Sequence, residues 1–365
     1  MLHILHAADF HLDAPFASLP AEKAAQRRGE QRDLLSRLAE LARARRADLV
    51  LLSGDLFDSG DTYAETTQAL SRALGQTGCP VLIAPGNHDF YHPRSPYALL
   101  SWPENVHIFR DSALTAVDFP ALNCAVWGAA FTAQSREDSP LAGFTAPADG
   151  RVHVGVLHGD LDGKSRYAPI PAADVAASGL VYLALGHVHG RTGLHKTENT
   201  AWAYPGCPEG RGFDELGDKG CLWLTVHEDG GVEDEFVPLA RRRYHIIEAP
   251  IQGDPAQALL NALPPSLAED VCRVVLTGES GVEGLDLAAL EALGAPRCYS
   301  LSLRDRTAVR RDLWDRAGED TLTGLFLRRM QDKLAAAGTD EDRALLEQAV
   351  RFGLAALEHR EEPMV

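Results

Sequence analysis

For its first hundred or so residues the chain alternates short apolar runs with amphipathic stretches. LHILHAAD (2–9), DLVLLSG (48–54) and PVLIAPG (80–86) are short, apolar and rich in branched side chains, the pattern of buried strands. Between the first two, residues 21 to 46 carry Leu34, Leu38, Leu41 and Ala42 at helical spacing; between the second and third, residues 62 to 77 supply another helix. Strand and helix in alternation predict a mainly parallel sheet with helices packed on it. From 105 to 240 strands dominate: NVHIF, ALNCAVWGA, RVHVGVLHG, LVYLALGHVHG, GCLWLTVHE and VEDEFVPLA, interrupted by a helix near 171 to 178. Two packed mixed β-sheets flanked by helices, an α/β class, accommodate all of these elements.

The basic run Arg241-Arg242-Arg243 marks the first break. After it the pattern is strand YHIIEAPI, helix 254 to 263, strand CRVVLTG, helix 284 to 293 and strand CYSLSLRD, enough for a small α/β module. From about 308 the chain turns helical. Leu322, Phe326, Met330 and Leu334 form one stripe, and Leu346, Val350, Leu354 and Leu357 a second, with Thr339 placed to cap the second helix. The expected domains are therefore 1–240, 241–307 and 308–365.

Composition narrows the function. The 365 residues hold 35 basic and 52 acidic side chains, a net charge of −17. A protein that merely coats nucleic acid is normally basic, so any contact with nucleic acid here must run through a local site, a metal or a basic partner. The six cysteines are scattered with no C-x-x-C pair, which suits reduced, buried thiols in a cytoplasmic protein. MLHILHAADFH has no basic leader and no small-residue cleavage site, and reads as a first strand. No apolar run approaches the ~18 residues of a membrane span.

The chemistry gathers where the strands end, which is where open α/β sheets place their sites. The first strand runs into Asp9-Phe10-His11, the second into Gly54-Asp55-Leu56-Phe57-Asp58, and the third into Gly86-Asn87-His88-Asp89. Later strands end in His158-Gly159 and Gly186-His187-Val188-His189. In D-x-H and H-x-H a step of two puts both side chains on one face of an extended backbone. Asp, Asn and His without Cys form a donor set for Mn, Fe, Zn or Mg and not for a thiolate zinc site. Asp9, His11, Asp55, Asn87, His158, His187 and His189 are too many ligands for one catalytic ion. They suit two ions that share a bridging carboxylate, an arrangement that clamps the attacking and leaving oxygens of a phosphoryl transfer. Nearby basic residues, Lys164, Arg166, Arg191, Lys196 and Arg211, could meet substrate phosphates.

This series of motifs resembles the calcineurin-like metallophosphoesterase superfamily. Within it, ILHAADFHLDAPF, LVLLSGDLFD, LALGHVHGR and YPGCPEGRGFDELGDKG resemble the SbcD-type DNA repair exonucleases, nearest their YhaO-like branch. The resemblance implies the family's four-layer sandwich over residues 1–240, a capping domain over 241–307 and a partner-binding tail over 308–365. It implies two divalent ions, Mn²⁺ foremost: Asp9, His11, Asp55 and His189 on one, Asn87, His158 and His187 on the other, and Asp55 bridging. His88 would face the scissile phosphate as the catalytic residue, and Asp58 and Asp89 would fix the loops. A metal-activated water would attack the phosphodiester. The implied partners are DNA as substrate and, at the C-terminal region, a coiled-coil ATPase of the SbcC or YhaN kind; a homodimer is compatible. Two other readings of the same motifs are a phosphoesterase for a small nucleotide or phosphoprotein and a regulatory subunit of an ATPase complex. The intact ligand set argues against a purely regulatory role.

Overall fold

The computed structural model describes residues 1–60, 62–161, 165–280, 285–309 and 314–357. In chain order, the first half runs β1 (Leu2–Ala7), α1 (Ala21–Ala44), β2 (Leu49–Leu52), α2 (Ala64–Gly75), β3 (Val81–Ile83), α3 (Pro96–Leu99), β4 (Val106–Ile108), β5 (Thr115–Phe119) and β6 (Cys124–Gly128). It continues β7 (Val152–His158), α4 (Ala172–Ala177), β8 (Tyr182–Gly186), β9 (His195–Thr197), β10 (Thr200–Ala203), β11 (Gly220–Val226) and β12 (Val232–Pro238). The remainder is β13 (Tyr244–Ile251), α5 (Pro255–Ala262), β14 (Val271–Ser280), α6 (Leu287–Gly294), β15 (Ser300–Asp305), β16 (Ala308–Val309), α7 (Leu322–Ala335) and α8 (Asp340–Leu357).

Two six-stranded sheets form the body, ordered β12-β11-β1-β2-β3-β4 and β5-β6-β7-β8-β10-β9. β1 through β4 are parallel, while β11 and β12 add antiparallel strands at one side. In the second sheet β6, β7, β8 and β10 run parallel, and β5 and β9 are antiparallel edges.

The alternation of side chains along each strand explains the layering. Ile4, Leu49, Leu51 and Leu82 face inward and meet Val126, Val154, Val156 and Ala184 of the opposite sheet. Their neighbours Leu5, Val50, Leu52 and Val81 face outward onto Leu34, Leu35 and Leu38 of α1 and Leu70 and Leu74 of α2. On the other outer face, Leu157, Leu183 and Leu185 meet Val175 of α4. The strands are thus apolar on both faces, as parallel strands covered by helices must be.

β5, β9 and β10 are absent from the strands that the hydrophobic pattern predicts. β5 and β9 are edges, and the eight residues TAVDF and HKT include no apolar run. An edge strand needs no such run, because one side of its ladder is open to water. All six cysteines are buried and unpaired.

A third sheet is ordered β13-β14-β15, with β16 beside β14. The chain forms two compact units. The first holds Met1–Ile247, Leu263–Val274 and Glu291–Ser302; the second holds Glu248–Ala262, Val275–Leu290 and the described residues from Leu303 onward. In the second unit, α7 and α8 pack through Leu327, Met330, Val350 and Leu354. Thr339 caps α8 by accepting the N–H of Asp342 at 3.1 Å. Among the described residues no helix is long and apolar enough to cross a membrane.

Candidate metal centre

The loops that follow β1, β2, β3, β7 and β8 meet in the first unit. Backbone bonds join the first two: the N–H of Asp9 donates to Gly54 O and that of His11 to Asp55 O, both at 3.0 Å. Reaching this arrangement takes unusual backbone. Asp9 (φ 55°), His11 (φ 45°), Asp55 (φ 51°) and His187 (φ 112°) all lie at positive φ without being glycine. Each such residue costs about 1–3 kcal/mol, and such costs concentrate at functional sites. The D-x-H step therefore does not work through extended backbone, as its spacing suggests; two left-handed residues turn both side chains into the site. Two glycines permit the close approach. A Cβ on Gly186 would lie 1.8 Å from Ser53 O, and one on Gly86 would lie 2.2 Å from Asp55 Oδ1.

All seven expected ligands converge. Asp9, His11, Asp55, Asn87 and His158 are buried, while His187 and His189 are half-buried. Asp9, His11 and His189 offer donor atoms within 4.8 Å of one another, and so do Asp9, Asp55 and His158. Asn87 Oδ1 lies 3.0 Å from His158 Nε2. The His187 ring is centred 5.3 Å from that of His158, and the backbone N–H of His187 donates to the Asp9 carboxylate at 3.0 Å.

The hydrogen bonds assign the tautomers. His158 Nδ1 lies 2.9 Å from Ser53 O, a group that can only accept, so the proton sits on Nδ1. His11 Nδ1 faces Asp58 Oδ1 at 3.1 Å, with the same consequence. His189 Nδ1 faces both Glu215 Oε1 at 2.8 Å and Arg211 Nη2 at 2.9 Å. The carboxylate, which can only accept, is the nearer of the two, so we assign the proton to His189 Nδ1, which donates it to Glu215.

Each of these three rings then points an unprotonated Nε2 inward. His158 Nε2 meets Asn87 Oδ1 and, at 3.4 Å, Asp55 Oδ2; His11 and His189 face each other Nε2 to Nε2 at 3.2 Å. These are lone pairs aimed at lone pairs, which repel one another unless a cation lies among them. The donor set therefore fits a hard to intermediate divalent metal. Burial lowers the imidazoles of His11, His158 and His187 to about 4, which keeps them neutral and able to ligate at neutral pH. Burial, with the charge of Asp55 alongside, pushes the Asp9 carboxyl well above the usual carboxylate range.

A second layer holds these ligands in place. Asp89 is buried and accepts the N–H groups of Leu56 (2.7 Å), Phe57 (3.2 Å) and Gly86 (2.8 Å) and the hydroxyl of Tyr97 (2.5 Å). It thus ties the Asp55 loop to the Asn87 loop. Asp58 holds His11, and its backbone O takes the Nδ1 proton of His88 at 3.0 Å. His88 is exposed at the mouth, its ring 4.8 Å from that of His11, and its Nε2 has no hydrogen bond among the described residues.

Arg211 and Glu215 are the residues whose part the sequence hides. Glu215 is buried, and although burial opposes it, hydrogen bonds from His189 and Arg211 hold its carboxyl well below the usual range. The only local signal is the i, i+4 spacing of Arg211 and Glu215. Of the other basic residues near the loops, Arg166 lies over Tyr167 and Arg191 over Phe236, Lys196 is exposed, and Lys164 lies outside the described residues.

Residues 2–191, more than half of the chain, match the family described as calcineurin-like phosphoesterase. YhaO of Bacillus subtilis (strain 168), an uncharacterized metallophosphoesterase, is 32% identical over 247 residues, covering 64% of this chain and 60% of that protein. The DNA double-strand break repair protein Mre11 of Aeropyrum pernix is 28% identical over 307 residues, 78% of this chain and 72% of Mre11. One of the subunits of the nuclease SbcCD from Escherichia coli (strain K12) is 35% identical over 91 residues, 24% of this chain and 21% of that relative. The match to YhaO thus spans about three fifths of that protein's own length.

Proposed function

The chain belongs to the calcineurin-like phosphoesterase family, and from that premise we propose that it is a phosphodiesterase with two divalent metal ions, acting on DNA as the nuclease of a repair assembly. The names of two relatives, a double-strand break repair protein and a nuclease subunit, support the choice of DNA over a small phosphoester.

Asp9, His11, Asp55 and His189 would hold one ion, and Asn87, His158 and His187, with Asp55 shared, the other. What supports Asp55 as the bridge is its position. Its Oδ2 lies 3.7 Å from His11 Nε2 and 3.4 Å from His158 Nε2, within reach of both ligand groups. Manganese is the ion proposed. Bound there, the two ions would supply Lewis acidity and a lowered water pKa for phosphodiester hydrolysis.

The chain's own groups do the rest. Asn87 completes a coordination shell with a neutral oxygen, adding no charge where Asp9 and Asp55 already repel. His88, anchored through Nδ1, presents Nε2 at the mouth, where a proton on it can pass to a leaving alkoxide. Glu215, Asp58 and the Ser53 carbonyl keep the ligating imidazoles in the tautomer that metal binding requires. Residues 1–240 would be the catalytic domain, 241–307 a capping domain and 308–365 a docking region for a coiled-coil ATPase. The name of the SbcCD relative, which marks it as one part of a larger nuclease, supports that last role.

The observation that carries this reading is the inward set of Nε2 and carboxylate lone pairs at the strand ends. The test is to incubate the purified chain with labelled single- and double-stranded DNA in Mn²⁺, in Mg²⁺ and in chelator. Metal-dependent cleavage is the expected result. A chain that hydrolyses bis(p-nitrophenyl) phosphate but leaves both DNA forms intact is a phosphoesterase of another kind.

A further inference from the structure

Arg273, near the start of β14, is set apart from the other arginines around the site. Arg27, Arg211 and Arg242 are each paired with buried carboxylates. Arg273 makes no ion pair and no side-chain hydrogen bond among the described residues, and its buried Nε has no partner. Yet it is held in place. Its guanidinium lies 3.8 Å from the centre of the Phe213 ring, and Tyr244 packs on Phe213 in a T-shaped pair with centroids 5.3 Å apart. An arginine held against an aromatic ring loses little further entropy when it takes a ligand.

The space beside it is open, and Arg211, which touches the expected ligand His189, borders it. Arg273, Arg211 and Ser18 line a cleft of about 500 Å³. Arg211 also contacts His189 and Asp58. A second cleft of about 450 Å³ shares Ala17, Ser18 and Phe213 with the first and is also lined by Ser302, by Glu291 and by Lys23, whose Nζ donates to Tyr299 O. Ser302 Oγ is buried and likewise without a partner. Asp214 also lines the first cleft, but it is exposed and beyond ion-pair distance of Arg273. In a chain of net charge −17, a half-buried guanidinium that is unpaired among the described residues and shares a cleft with Arg211 has the chemistry to take an anion.

We propose that this cleft receives the nucleic-acid strand next to the cut, with Arg273 binding a phosphate that flanks the scissile one. Arg273 is here a positioning residue. The proposal rests on the nuclease reading above. A free inorganic phosphate would use the same chemistry, so the test separates an isolated anion from a strand.

Arg273→Gln, Arg273→Lys and Arg273→Ala are compared with the wild type on a single-stranded oligonucleotide and on bis(p-nitrophenyl) phosphate, which has no flanking phosphate. Oligonucleotide binding in chelator is followed against salt. In Arg273→Gln, KM for the oligonucleotide should rise about tenfold more than KM for the small substrate, with kcat affected less. The slope of log affinity against log salt should shrink by about 0.7, the worth of one single-strand phosphate contact. Arg273→Lys should recover part of both effects. Equal losses on the two substrates, or an unchanged salt slope, overturn the assignment, because a merely structural arginine gives that pattern. So does an inorganic phosphate that inhibits both proteins equally while oligonucleotide binding stays the same. If the wild type neither binds nor cuts the oligonucleotide, the nuclease reading fails first, visibly before any variant is made, and this assignment falls with it.

Discussion

Glu215 Oε1 lies 2.8 Å from His189 Nδ1, on the side of the ring opposite His11. The carboxylate fixes the proton on Nδ1 and raises the basicity of Nε2, as carboxylate partners of ligating histidines do. Glu215→Gln should therefore keep the fold and weaken the binding of one metal ion about 10- to 100-fold. Chelator competition measures this, with the thermal midpoint of the metal-free protein as control. Unaltered metal affinity would show that Glu215 serves only Arg211.

His88→Ala should lower turnover on bis(p-nitrophenyl) phosphate by roughly 10²- to 10⁴-fold, the usual worth of a positioned acid–base group. Because His88 Nδ1 bonds a backbone carbonyl and no expected ligand, both metals should remain bound. Loss of metal in this variant, or full activity, would place His88 outside the role given to it.

Asp55 and Asn87 should differ in metal stoichiometry. Asp55 Oδ2 reaches toward both His11 and His158, whereas Asn87 Oδ1 reaches His158 alone. Asp55→Ala should empty both sites, and Asn87→Ala should deplete mainly one. Elemental analysis after dialysis decides between them; equal depletion in the two variants contradicts the division of ligands.

The strands that position this centre are plain in the sequence because they are apolar on both faces: LVLL of β2 has every residue buried. The expected ligands are plain because each lies at or just after the end of such a strand. Three things could not be read. The positive φ angles at Asp9, His11, Asp55 and His187 arise from packing between loops far apart in the chain. Glu215 stands 26 residues after His189 and looks like any acidic loop residue until the fold joins them. The buried ion network of Arg27, Glu30, Glu209 and Arg242 unites three distant segments, and no local pattern signals it.

Stability should fall in mild acid partly through His6. Its ring is fully buried between Tyr182 Oη at 2.9 Å and Ser53 Oγ at 3.0 Å, and burial lowers it to about 3. The folded value is depressed, so the unfolded chain binds the extra proton. The contribution is whole above the unfolded pKa of about 6.5 and is lost as pH falls toward the folded value, at about 1.4 kcal/mol per pH unit. His6→Gln should be less stable at pH 7 but lose stability less steeply between about pH 6.5 and 4. Urea midpoints in chelator across that range provide the measurement, and parallel pH profiles would rule His6 out.

The helical tail offers the last test. α7 and α8 bury Leu327, Met330, Val350 and Leu354 against each other, which uses one face of each helix. Leu325 (43% exposed) and Phe352 (53%) lie off that face, and Leu322 and Leu345 are more exposed still. Four large apolar side chains exposed on one hairpin are candidates for cover by another surface. A partner helix laid against them would gain roughly 25 cal/mol for each Å² of apolar surface covered. The partner proposed is the coiled-coil ATPase. A chain ending at Val309 should therefore keep metal-dependent phosphodiesterase activity and lose the association with that ATPase. Leu325→Glu and Phe352→Glu should do the same in the full-length chain. These exposed positions leave the hairpin core intact, and circular dichroism can check its helicity. If the truncated chain still co-purifies with the ATPase, or the two Glu variants bind it as the wild type does, the docking surface lies elsewhere.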